Sequence, residues 1–173
     1  MRHILSTLSI VLLSSSAFAQ VYPSPITVKE LKRMDACQLE QLFARGQATA
    51  LPVGETKGHV LLRTDAKLPR VRAKMSSAVW KGKTFDDDGE ITNRWLGGFK
   101  AVSTQAVIGP SAYDGQPCII LEYAPGTAVF GNTRDEIREI APGIFLGRFY
   151  ERCPCVKLQG YFVLEVKPCG CKK

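Results

Sequence analysis

Four of the six cysteines stand near the C-terminal end as two Cys-x-Cys pairs, Cys153 with Cys155 and Cys169 with Cys171, while Cys37 and Cys118 stand alone upstream. Three kinds of chemistry suit such a set. Four converging thiolates would hold zinc or copper(I), although zinc pairs usually leave two or more residues between the cysteines and here there is one. A disulfide closed inside one Cys-x-Cys would be a strained, easily reduced ring suited to thiol exchange, yet the Cys-x-x-Cys of thioredoxin-like sites is missing. Otherwise six thiols pair completely, in any of fifteen connectivities. Disulfides are the expectation, with Cys37, Cys118, Cys153, Cys155, Cys169 and Cys171 as candidates. Soft-metal binding or disulfide exchange through Cys153/Cys155 and Cys169/Cys171 is the alternative. A hairpin turn at Cys153 to Lys157 would leave the two pairs at opposite ends of the last strand, whereas a turn at Gln159-Gly160 would bring them closer.

Other reactive groups are sparse. Beyond His3, which stands in the leader described below, His59 is the one histidine; any Ser-His or Cys-His hydrolase would have to use it, and a multi-histidine metal site within one chain is excluded. Its place at the start of a strand reads as a surface or edge position. Arg134-Asp135-Glu136-Ile137-Arg138-Glu139 is the densest charge cluster. It reads as a solvated turn with internal ion pairs or, alternatively, as a polar wall at a cavity mouth with Asp135 or Glu136 orienting a ligand and Arg138 binding an anion. Neither GxGxxG nor GxxxxGK[ST] occurs, which argues against a nucleotide cofactor. No cofactor and no catalytic residue set is expected. The aromatic residues Trp80, Trp95, Phe99 and Tyr123 are candidate apolar lining of a ligand cavity, and Arg94 and Arg138 are its candidate polar anchors.

These groups must be carried by something. Met1-Arg2-His3, the apolar run Ile4 to Leu13 and Ala17-Phe18-Ala19 read as a secretory signal peptide over 1–19, which makes the chain an exported, periplasmic or extracellular protein and gives its cysteines an oxidising compartment. The leader is too short to span a membrane, and no later apolar run approaches spanning length. Residues 20–51 read as an extended leader and a helical arm. Thr27-x-x-Glu30 has the form of a capping box, and apolar residues at Leu31, Met34, Leu39, Leu42 and Phe43 suit one or two helices, broken near Asp35 and capped by Gly46. A further helix is expected over Val71, Met75 and Val79. From residue 52 onward, short β-rich runs at 59–63, 99–108, 118–123, 144–151 and 161–167 alternate with turn signals such as Asp86-Asp87-Asp88-Gly89 and Asp114-Gly115. The expected fold is therefore mainly β, an antiparallel sheet closed into a barrel over 52–173 with an N-terminal helical arm.

Net charge is +7, with 23 basic and 16 acidic residues. This keeps an exported protein soluble and would favour an anionic envelope polymer as partner, so that a structural envelope protein with a basic surface is a further alternative. The densest basic stretch, Lys67, Arg70, Arg72, Lys74, Lys81 and Lys83, has only Trp80 among it, which argues against nucleic acid.

Several motifs stand in order along the chain: Pro52-x-Gly54 followed by Gly58, Trp80-Lys81-Gly82-Lys83-x-Phe85, Asn93-Arg94-Trp95, Asp114-Gly115-x-Pro117, Arg134-Asp135-Glu136-Ile137-Arg138 and Pro142-Gly143-Ile144-Phe145-Leu146-Gly147. In these the chain resembles uncharacterised bacterial exported proteins with a lipocalin-like β-barrel. The resemblance covers residues 52 to 167 and implies a barrel with a cavity, and no particular reaction. Its implied role is to bind a small apolar or amphipathic ligand. The two Cys-x-Cys ends depart from that pattern.

Overall fold

The computed structural model describes residues 26–64, 67, 76–125, 131–152 and 154–166. The expected signal peptide, Val71, Met75, Cys153, Cys169 and Cys171 lie outside them. Eight antiparallel strands form a closed barrel in simple sequence order: β1 (Gly54–Arg63), β2 (Trp80–Phe85), β3 (Glu90–Trp95), β4 (Lys100–Pro110), β5 (Pro117–Glu122), β6 (Thr133–Ala141), β7 (Ile144–Glu151) and β8 (Lys157–Val166), with β8 pairing back onto β1. Closure leaves no open sheet edge. Among the described residues, no helix is long and apolar enough to cross a membrane.

The barrel has two cores, one inside and one outside. Phe85, Ile91, Ile119, Leu121, Ile137 and Leu164 fill the interior with several aromatic rings. On the outer wall, Leu61, Cys118, Ile120, Leu146, Tyr161 and Val163 are covered by Leu31, Leu39 and Phe43 of the arm. This explains the near-continuous apolar runs of β5 (Cys118-Ile119-Ile120-Leu121) and β8 (Tyr161-Phe162-Val163-Leu164): both faces of these strands are buried.

The arm comprises α1 (Val28–Leu31) and α2 (Ala36–Arg45). Each opens with a capping box, Thr27 with Glu30 and Asp35 with Gln38, so the expected break at Asp35 is the start of the second helix. Leu39 and Phe43, one turn apart, face the barrel. Gly46 ends α2 with an extended backbone and not a left-handed one. Its value is close approach, since a Cβ there would lie 2.8 Å from Arg138 Cβ. Gln47 then bridges to Glu139, tying the arm to β6.

One strand runs where a turn was expected, and two run where no element was assigned. The charge cluster at 134–139 is β6, not a solvated turn, and Asp135, Glu136 and Arg138 are all buried in it. The other two are β2 and β3. Only residues 76–79 of the expected third helix are described, and they are helical.

Candidate functional site

One end of the barrel is packed shut and the other is hollow. Phe85, Ile91, Ile119, Ile137 and Leu164 close the first, with Leu51 packed against them. At the other end, where β2, β6 and β8 begin and β3 and β7 end, a cavity of about 700 Å³ opens. That is within the size range of small-molecule sites. Trp80, Trp95, Phe149 and Phe162 form its walls, and Lys83, Asn93 and Asp135 line it as well.

Glycines and bulges set this geometry. The β2–β3 register slips between Trp80 and Gly82, which turns both Trp80 and Lys83 inward although they stand three positions apart. Gly82 has φ +125°, and a side chain there would strike the Thr56 carbonyl. Only glycine lets β1 and β2 approach so closely. Across the barrel, the Phe162 ring occupies the space that a Cβ on Gly147 would need. Phe162 thus lies over bare backbone, its centroid 5.6 Å from Trp80 in an edge-to-face arrangement.

Beneath the rings lies a buried polar cluster. Lys83, 2 % exposed, bonds three ways through its ammonium: to Asp135 Oδ2 at 3.0 Å, to Tyr123 Oη at 2.6 Å and to Asn93 Oδ1 at 2.9 Å. Trp80 Nε1 also donates to Asn93 Oδ1, at 3.1 Å. Asn93 Nδ2 donates to the Val102 carbonyl and to Tyr123 Oη. The ammonium lies 5.2–5.6 Å from the centroids of Trp80, Tyr123 and Phe162, close enough for cation–π attraction. Burial alone would depress the Lys83 pKa, but the Asp135 charge and the Tyr123 contact outweigh it and hold it above its ordinary value. Burial likewise pushes the Asp135 carboxyl upward, against the pull of Lys83.

The expected site residues divide. Trp80 and Trp95 line the cavity, and Tyr123 joins the cluster through its hydroxyl. Arg94 does not reach the cavity: it donates to the Thr56 carbonyl and pairs with Glu55 at 3.1 Å. Phe99 is 66 % exposed, just beyond the 3-10 turn Leu96–Gly98. Arg138 is fully buried, but on the outer wall. There it grips Asp114 with two nitrogens at 2.6 and 2.8 Å, donates to the carbonyls of Phe43, Gln116 and Pro117, and stacks on the Phe43 ring. It is a fastening for α2 and the 111–116 loop. Glu136 fastens the same loop, accepting from Ser111 Oγ, the Ala112 N–H and Arg134. Lys83, counted among the basic surface residues from sequence, lies inside the barrel. Phe149 and Phe162 are not among the expected site residues, Asp135 is expected there only under the alternative reading of its charge cluster, and Asn93 only as a neighbour of Arg94 that could instead close a turn; the signal that places all four is the pairing register, which composition does not carry.

Cys37, Cys118 and Cys155 are free thiols, so the expectation of complete pairing does not hold for these three. Cys118 is fully buried, and burial pushes its thiol up to about 12. The β7–β8 turn falls at 152–156, the first of the two placements considered. Cys155 is therefore separated from Val166, where the described chain ends, by a strand of roughly 30 Å. Among the described residues, no group of three His, Cys, Asp or Glu side chains could hold a metal. His59 is half-buried on β1, and burial together with Lys32, Lys57 and Lys81 depresses its pKa to about 4.

No protein-family model matches the chain, and no curated protein matches it. Among solved structures, the crystal structure of a protein from Thermomonospora curvata is similar, with a TM-score of 0.53 and 19 % identity, over 78 % of this chain and 88 % of that one. At that identity the likeness speaks for the barrel fold alone.

Proposed function

We propose that this is an exported, lipocalin-like binding protein that takes a small apolar or amphipathic molecule into the open end of its barrel. The observation that carries the reading is the cavity itself: about 700 Å³, walled by aromatic rings and ending on a buried polar cluster. Apolar walls with a few placed polar groups are the usual composition of such sites. The chain's two tryptophans, Trp80 and Trp95, both line the cavity, so its occupancy is readable from intrinsic fluorescence. Titration with the neutral probe N-phenyl-1-naphthylamine should quench tryptophan emission and sensitise the probe, saturating at one per chain. Val60→Trp, which fills the cavity from β1, should abolish this saturable component. Binding that is absent, or unaffected by the filled cavity, would contradict the proposal.

A further inference from the structure

The donors at the cavity floor are already committed to one another. An ammonium has three donors and no acceptor, and all three of Lys83's are committed, to Asp135, Tyr123 and Asn93. Both amide donors of Asn93 are committed as well, to the Val102 carbonyl and Tyr123. Trp80 Nε1 is spent on Asn93. Tyr123 Oη accepts from Lys83 and Asn93 and gives its one proton to Asp135. No N–H or O–H of the cluster is left over for a ligand.

Acceptor capacity is left over. A carboxylate offers about four lone-pair positions, and among the described residues the side chain of Asp135, which lines the cavity, takes donors from Lys83 and Tyr123 alone. At the floor an incoming carboxylate would meet no uncommitted donor and would face the Asp135 charge, since Arg63, Thr133 and Gln159, which also line the cavity, stand at its open end. It could bind at the floor only by stripping a bond from Lys83, leaving a buried group unpaired. An incoming ammonium would sit beside Lys83, which already neutralises Asp135. A hydroxyl suffers neither penalty.

We propose that the cavity selects a neutral aromatic or fused-ring alcohol, its rings against Trp80, Trp95, Phe149 and Phe162 and its hydroxyl donating to Asp135. This rests on the reading of the barrel as a ligand-binding site and adds the ligand's class to it. The partition is unexpected for a cavity whose floor carries a lysine, where an acid would be the first guess.

The test uses the unaltered protein and three probes of one shape, by isothermal titration calorimetry at pH 7: 2-naphthol, 2-methoxynaphthalene and 2-naphthoate. The expected order places 2-naphthol first and 2-methoxynaphthalene roughly tenfold to a hundredfold weaker, as for loss of a hydrogen bond to a charged group, with 2-naphthoate no better than the ether. Naphthoate binding as tightly as naphthol, or ether and naphthol binding equally, would overturn the alcohol selection while leaving the cavity reading intact. Binding of none of the three would overturn both.

Discussion

Replacing Lys83 with methionine keeps most of the apolar stem and removes the ammonium. The structure then holds Asp135, 7 % exposed at its side chain, with its cationic partner gone and only the Tyr123 hydroxyl beside it. Breaking one side of a buried ion pair costs roughly 3–5 kcal/mol, a large part of the about 5–15 kcal/mol that holds a typical domain together. With a urea dependence of about 2 kcal/mol per molar, the unfolding midpoint should fall by roughly 2 M. The double variant Lys83→Met/Asp135→Leu removes both charges. It leaves Asn93 bonded to Trp80 and Tyr123, so it should cost less than the sum of the single changes by about 3 kcal/mol. The single variant also carries a pH signature. Burial already raises the Asp135 pKa above its unfolded value, and losing Lys83 raises it further. A carboxyl raised in this sense is favoured when protonated, so its contribution is present below the unfolded pKa and lost as pH rises through the folded one. The deficit of Lys83→Met should therefore shrink on acidification. Urea unfolding followed by tryptophan emission and far-UV circular dichroism measures all of this. A Lys83→Met protein within 1 kcal/mol of the parent, by the same order-of-magnitude reckoning, or a double variant that costs the full sum, would refute the reasoning.

Four further outcomes follow from other parts of the molecule. His59 is held neutral in the fold at a pKa of about 4 against an ordinary 6.5, so the unfolded chain binds the extra proton. Stability should fall between pH 6.5 and 4, by about 1 kcal/mol once solvent screening of the half-exposed ring is counted, and His59→Gln should lose that dependence in urea melts run across the window. Arg138→Met should cost roughly 3 kcal/mol and speed proteolytic removal of the α2 arm. The Arg138 bond also lowers the Asp114 pKa, a contribution present above the unfolded carboxyl pKa and lost as pH falls through the folded one, and that acid sensitivity should vanish in the same variant. Gly147→Ala must displace the Phe162 ring, at about 1–3 kcal/mol, and should weaken probe binding in the fluorescence titration. In the native protein a maleimide should label exposed Cys37 quickly and leave buried Cys118 unlabelled until denaturant is added, which peptide mapping reads directly.

What could be read from sequence follows a physical division. Local signals survive into the structure: Thr27 and Asp35 cap their helices, Asp114-Gly115 turns between β4 and β5, and the apolar runs of β5 and β7 are strands. These depend on neighbours within a few residues. Long-range compensation is what the sequence hides. β6 carries five charged residues among its nine, and it reads as a strand only once Lys83 is seen to neutralise Asp135 from inside the barrel while Asp114 and Arg134 pair with Arg138 and Glu136 from outside. Strand β2 is disguised in another way. Its bulge breaks the two-residue alternation, so Lys83 looks like a surface charge when it faces the same interior as Trp80. The same limit divided the candidate site. Trp80 and Trp95 are legible as aromatics within the barrel motifs, but whether Arg94 or Asn93 faces inward depends on one step of register.

The central claim is that the barrel end is a ligand site, and a crystal structure of the protein grown with saturating 2-naphthol tests it most directly. The account predicts continuous ring density between Trp80, Phe149 and Phe162, with the naphthol oxygen within hydrogen-bonding distance of Asp135. A barrel end filled by its own side chains, or the probe bound elsewhere on the surface, would contradict it.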